Sequence, residues 1–279
     1  MKKIFALLLS VILVISNFGT CSAAKKGGSK TAYRDILDEG YVYQGNGYSM
    51  VVTRCYDGDA ELFGRMWLPD GFNEAASYPT IVMCHGHSGN SDFWDKSFAP
   101  AMAKCGYICY AIDCRSANDG KRDYSTPNED HQATVSTYAR DVLAAVRFVQ
   151  DKEYVDSANL YLMGQSMGSM AVQAVAAQIP EEINGVIALY GLVSESVRDL
   201  MDNYDEVISA PYAGGEVLFM IGTKDSGCTW ENITQNMELY ENSTAVLISG
   251  ARHGYGMEDD RAAVISEGVM DDFIQRTRR

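Results

Sequence analysis

Leu160-Tyr161-Leu162-Met163-Gly164-Gln165-Ser166-Met167-Gly168-Ser169 is the stretch on which the reading of this chain turns. Four apolar residues run into G-x-S-x-G, and the small residues Ser169 and Ala171 follow in a segment of helical pattern that ends before Pro180. A strand therefore meets a helix across one serine. Such a turn forces the serine into strained backbone, so its neighbours must be small for the chain to pass close by. It also puts Ser166 at the positive end of the helix, where developing negative charge is favoured.

Outward from this stretch, apolar runs alternate with helical patterns. Thr80 to Cys84, Tyr107 to Asp113, Leu160 to Gly164, Gly185 to Tyr190, Val217 to Ile221 and Ala245 to Ile248 are nearly continuous in apolar residues, as strands buried on both faces are. Two earlier runs, Ser49 to Tyr56 and Glu61 to Leu68, flank Asp57 and Gly58 and read as an antiparallel hairpin. Helices are expected at Tyr138 to Gln150, Ser169 to Gln178, Ile233 to Tyr240 and Arg261 to Arg276. The expectation is an α/β fold: one domain over residues 45–279 with a mostly parallel sheet of about eight strands flanked by helices, led by an N-terminal β-hairpin. Arg115 to Thr137 and Gly191 to Gly215 exceed simple connections and read as small lid insertions.

A serine hydroxyl needs a base and an orienting acid to act as a nucleophile. His253 follows the last strand and Asp225 the one before it, so both fall on the sheet edge that carries Ser166, where open α/β sheets place ligands. Ser166, Asp225 and His253 are the candidate catalytic residues, in the chain order of the α/β triad. His85-Gly86-His87-Ser88-Gly89-Asn90, after the strand ending at Cys84, can aim backbone N–H groups at a carbonyl oxygen. The candidate oxyanion donors are the N–H groups of His87 and Met167. Read instead as metal ligands, His85 and His87 would need His131 and His253 to complete a zinc set. Phe93, Trp94, Tyr190, Trp230 and Tyr255 lie close in sequence to these loops and are candidate pocket walls.

The ends and the composition narrow the class. Of the 279 residues, 23 are basic and 37 acidic, a net charge of −14, which argues against nucleic acid as a partner. Lys2 and Lys3 precede an apolar run from Ile4 to Ile15 and the small residues Cys21 to Ala24, the pattern of a secretory signal peptide over residues 1–24. That run is short of the roughly 20 residues a span requires, so no membrane span is expected in the mature chain. Cleavage would leave 21 basic against 37 acidic residues, then a leader over residues 25–44. A secreted protein is expected, with a lipid anchor at Cys21 the lesser reading. Six further cysteines carry no metal-ligand spacing and read as mostly structural.

On His85 to Asn90, Gly164 to Gly168, Gly222 to Asp225 and Arg252 to Gly254, over roughly residues 45 to 276, the chain resembles the α/β-hydrolases. It is similar to bacterial feruloyl and cinnamoyl esterase-like enzymes and to serine aminopeptidase-type and acylglycerol-lipase relatives. The resemblance implies ester hydrolysis through an acyl-enzyme, no cofactor, and a small-molecule or oligosaccharide-linked ester as substrate. Peptidase activity is the alternative, with Glu195, Asp199, Asp202, Asp205 and Glu206 as acidic groups for a peptide amine. The chain departs from its relatives at Cys114 to Asn118, where they carry Arg-Gly and a short glycine loop, and at His87, where the esterases often carry a bulky aromatic.

Overall fold

A computed structural model describes residues 40, 42–87, 89–115, 134–256 and 260–279 of the chain. The signal peptide, most of the leader, Ser88, His131 and residues 116–133 of the first expected insert lie outside the described residues.

Nine strands form one sheet in the order β1-β2-β3-β5-β4-β6-β7-β8-β9. β1 (Val42–Gln44), β2 (Tyr48–Asp57) and β3 (Ala60–Pro69) are antiparallel to one another. β3 pairs antiparallel with β5 (Ile108–Ile112), and from there β4 (Tyr78–Cys84), β6 (Val155–Gln165), β7 (Gly185–Leu189), β8 (Glu216–Gly222) and β9 (Ser243–Ile248) continue in parallel. The count is one strand above the expected eight, because Val42–Gln44, inside the stretch read as leader, pairs with β2. The hairpin turn is Gly58-Asp59, with Gly58 at φ +58, a value that favours glycine.

The two-sided burial expected from the apolar runs is found. β5 and β7 are buried at every position, and β4 at every position after Tyr78. The sheet is flanked by α1 (Asp92–Lys96), α2 (Ala99–Lys104), α3 (Val135–Gln150), α4 (Met167–Gln178), α5 (Tyr204–Ser209), α6 (Trp230–Met237) and α7 (Asp260–Thr277). α3 and α6 begin three residues before the sequence reading placed them. Each starts in a capping box, Thr134 with Thr137 and Thr229 with Asn232, and the single apolar residue of each first turn, Val135 or Trp230, is too little to show a helical period. The Gly191 to Gly215 segment holds a 3₁₀ helix, Glu195–Leu200, as well as α5. Among the described residues, no helix is long and apolar enough to cross a membrane.

β4 leaves toward β5 on one side, and β6 to β9 build outward on the other. The direction in which strands are added therefore switches at the parallel pair β4 and β6, and a crevice opens at their carboxyl ends, where His85 and Ser166 stand. At the opposite edge the C-terminus is tied down. The N–H of Arg279 donates to Asn159 Oδ1 at 2.8 Å, Asn159 Nδ2 donates to the Arg279 carbonyl at 3.2 Å, and Asn184 Nδ2 donates to the Thr277 carbonyl at 2.9 Å.

The first expected insert leaves from a buried ionic knot. Arg115, 4% exposed, donates its N–H and its Nε to the carboxylate of Asp141 on α3, each at 2.7 Å, and pairs with Asp57 at the tip of the hairpin. All six cysteines among the described residues are free thiols, five of them buried. Burial pushes Cys55 up to about 11 and Cys228 up to about 12, so these behave as small apolar side chains.

Asp95 on α1 lies under Trp67, whose Nε1 is 3.4 Å from its Oδ1, and burial, partly offset by Lys96, pushes its carboxyl up to about 7. The folded carboxyl holds its proton more tightly than the unfolded one, so the stability it contributes is complete below the ordinary carboxylate range. That contribution is lost as pH rises through about 7. Asp95→Asn removes this titration, and in urea unfolding the variant gains stability on the wild type between about pH 5 and about pH 8. A difference that stays constant over that window would show that Asp95 ionises freely in the fold.

Candidate active site

β6 runs directly into Ser166, which stands at φ 51 and ψ −121, a conformation costly for any residue with a Cβ. Two backbone bonds hold it there. The Ser166 N–H donates to the Leu189 carbonyl at 2.9 Å, and the Ser166 carbonyl accepts from Ser169 N–H at 3.0 Å. Three glycines let the backbone close around it. A Cβ on Gly164 would strike the Gly168 carbonyl, one on Gly168 the carbonyl oxygens of Cys84 and His85, and one on Gly191 the carbonyl of Ser166 itself.

His253 Nε2 lies 3.1 Å from Ser166 Oγ, and its Nδ1 lies 2.9 Å from Asp225 Oδ2. With the proton on Nδ1 donated to the carboxylate, Nε2 is left to accept from the serine hydroxyl. The Asp225 side chain is fully buried, and its other oxygen accepts from the N–H groups of Gly227 and Cys228 at 2.8 Å each. The acid is thus fixed by its own loop, whereas the imidazole keeps 44% of its surface open. Ser166, Asp225 and His253, chosen from three separate strand ends, are brought into one hydrogen-bonded chain.

The loop after β4 lies beside the serine, since a Cβ on Gly86 would stand 3.2 Å from Ser166 Cβ. His85 is fully buried, and its Nε2 accepts from Cys114 N–H at 3.0 Å. Its Nδ1 must then carry the proton, which it donates to the Gly86 carbonyl at 2.7 Å. That carbonyl also accepts from Gly89 N–H at 3.0 Å and from the Tyr138 hydroxyl at 3.4 Å. The Gly86-His87 peptide is therefore held from its carbonyl side. With both ring nitrogens engaged in protein hydrogen bonds, His85 has none left to offer a metal alongside His87. Met167 stands at the first position of α4, where the N–H has no partner within the helix.

The proposed pocket walls divide. Trp94 has no exposed surface, and it packs against Phe93 at 5.0 Å and Phe98 at 6.3 Å between ring centroids. Tyr190 and Tyr255, 1% and 2% exposed, are core residues as well. These three readings, with Phe93, are corrected: closeness in sequence to a motif loop does not fix which way a side chain points, and here the rings turn inward. Trp230, at the start of α6, keeps part of its surface open.

Sequence reasoning missed what stands behind the site. The Tyr190 hydroxyl donates to Gln165 Oε1 at 2.8 Å, and its ring meets that of His253 at 5.0 Å. The one available signal was Gly191, a glycine directly after an apolar strand at the edge that carries the serine.

A family model described as the alpha/beta hydrolase fold matches residues 79–209. An uncharacterized 31.7 kDa protein in the traX-finO intergenic region of Escherichia coli is 26% identical over 103 residues, 36% of this chain and 33% of that protein. The match thus spans about a third of the relative's length. Est1E from Butyrivibrio proteoclasticus, solved with ferulic acid bound, superposes with a TM-score of 0.65 at 19% identity over 81% of this chain and 98% of its own. A prolyl endopeptidase superposes with a TM-score of 0.62 at 14% identity over 83% of this chain and 39% of its own.

Gly168→Ala tests the packing around the serine. A methyl group there meets backbone carbonyls that cannot swing aside, so the variant loses about 3 kcal/mol of stability. Urea unfolding measures the loss, and a variant as stable as the wild type would show that the turn has slack.

Proposed function

The chain carries the alpha/beta hydrolase fold, and from that premise we propose that it is a secreted serine hydrolase cleaving carboxylic esters through an acyl-enzyme. The observation that carries this reading is the Asp225-His253-Ser166 hydrogen-bonded chain at the crevice between β4 and β6, ending on a serine held at positive φ. His253 Nε2 takes the hydroxyl proton as Ser166 Oγ attacks the ester carbonyl, and Asp225 holds and stabilises the imidazolium that forms. The N–H groups of His87 and Met167 receive the oxyanion. His253 then returns the proton to the leaving alcohol, and water, activated by the same imidazole, releases the acid.

Within esters, a feruloyl or cinnamoyl acyl group is the proposed class. It is supported by the motif resemblance and by the likeness in fold to Est1E. Peptidase activity is the second reading, which the likeness in fold to a prolyl endopeptidase supports. Of the acidic residues offered for a peptide amine, Glu195 and Asp205 both pair with Arg198, at 2.6 Å each, which offsets one of their two charges.

The test is a panel of methyl ferulate, methyl cinnamate, short aliphatic esters, an acylglycerol and aminoacyl amides, run beside a fluorophosphonate probe. Ser166 is expected to be labelled, Ser166→Ala to lose labelling and at least about 10³-fold in turnover, and aryl esters to outrun amides. Turnover that survives Ser166→Ala sinks the serine mechanism. Aliphatic turnover with methyl ferulate untouched sinks the acyl class. Asp225→Asn, which leaves the wrong tautomer facing Ser166, lowers kcat by about 10³- to 10⁴-fold with little change in KM, read by steady-state kinetics on the best ester.

A further inference from the structure

Tyr190 is the second non-glycine residue at positive φ among the described residues, at φ 38, and the other is Ser166. A bulky aromatic pays for that conformation with strain, which persists only where the surroundings over-determine it. Here they do. The Tyr190 N–H donates to the Met220 carbonyl at 2.9 Å, and the residues on either side of it contact the serine turn: the Leu189 carbonyl accepts from Ser166 N–H, and Gly191 lies against the Ser166 carbonyl. The twist turns the ring inward, under the imidazole of His253 and against Tyr255, at centroid distances of 5.0 and 5.1 Å. The hydroxyl reaches two loops, Gln165 Oε1 at 2.8 Å and the Tyr255 carbonyl at 3.3 Å. Turning the Gln165 amide over, so that its NH₂ donates to the phenol oxygen, lets the hydroxyl proton serve the Tyr255 carbonyl as well.

We propose that Tyr190 is a positioning residue that sets the distance between Ser166 and His253, with its hydroxyl tying the residue before the nucleophile to the loop that carries the base. The inference rests on the serine-hydrolase reading above. His253 needs such a tie because its side chain is 44% exposed and follows a strand at the edge of the sheet, whereas Ser166 is locked by backbone bonds. The histidine loop's other ties, Nδ1 to Asp225 and the Ala251 carbonyl to Lys224 N–H, run to the Asp225 loop, and the Tyr190 hydroxyl supplies one toward the serine turn across the 3.1 Å contact. A tie of this kind acts on the step that uses the contact and leaves substrate binding alone, because Tyr190 has almost no surface to offer a ligand.

The experiment compares Tyr190→Phe, which keeps the ring and removes the hydroxyl, with Gln165→Met, which removes its partner. Kinetics are run on the best ester of the panel, and active serines are counted by fluorophosphonate titration so that rates are per competent site. Each variant is expected to lower kcat per titrated serine about tenfold, with KM moving less than about twofold, and the double variant to lose no more than either single one. The rate constant for fluorophosphonate inactivation falls in parallel. Wild-type kcat per titrated site in Tyr190→Phe overturns the proposal, as does a loss that appears only in KM or only as fewer titratable serines. Failure of the wild type to label at Ser166, with turnover surviving Ser166→Ala, overturns the hydrolase reading and this inference with it. A labelled, active wild type whose Tyr190→Phe variant is unchanged overturns this inference alone.

Discussion

One constrained turn organises this molecule: a serine at positive φ wedged between the end of β6 and the start of α4. The geometry is unfavourable on its own, so the surrounding structure has to impose it. It does so with space rather than with side-chain contacts. Gly164, Gly168 and Gly191 each give up a Cβ to let a carbonyl approach, and the neighbouring strands β4 and β7 supply the carbonyls and backbone bonds that close the packing. The parallel sheet makes this possible, since the switch in strand order at β4 and β6 brings two loops to one edge without either crossing the other.

The order of rigidity in the site follows from that arrangement. Ser166 is held by backbone on both sides and Asp225 by two N–H groups of its own loop. The loop after β4 is held in part by a buried imidazole whose tautomer is dictated by Cys114, which couples that loop to the end of β5 and so to the first insert. His253 is the member with the most open surface, and in the proposed mechanism it is the group that carries a proton back and forth.

Much of this was legible in the residues. Continuous apolar runs gave β4 to β9, and three strand-end motifs gave Ser166, Asp225 and His253, because buried parallel strands and sharp glycine turns leave local signatures. The short helices α1 and α2 were not legible. Neither is long enough to show a period, and both are defined by packing against the sheet. The polar first turns of α3 and α6 were passed over because a capping box is a hydrogen-bond pattern, invisible to a search for apolar spacing. The aromatic residues failed for a different reason. Whether Tyr190 faces solvent or the core depends on its sign of φ, which no propensity assigns to tyrosine, and Trp94 is buried by the neighbouring rings of Phe93 and Phe98, which themselves had to be placed first.

The tether at Arg279 has a practical side. Asn159 begins the buried run of β6, and Asn184 and Gly214 precede β7 and β8, so the groups that hold the last residues stand at the amino ends of the parallel strands. Anything joined beyond Arg279 therefore departs from the face of the molecule opposite the crevice. A protein attached to a bead or a scaffold through that end would present the crevice outward, with the length of the parallel strands between the support and that edge.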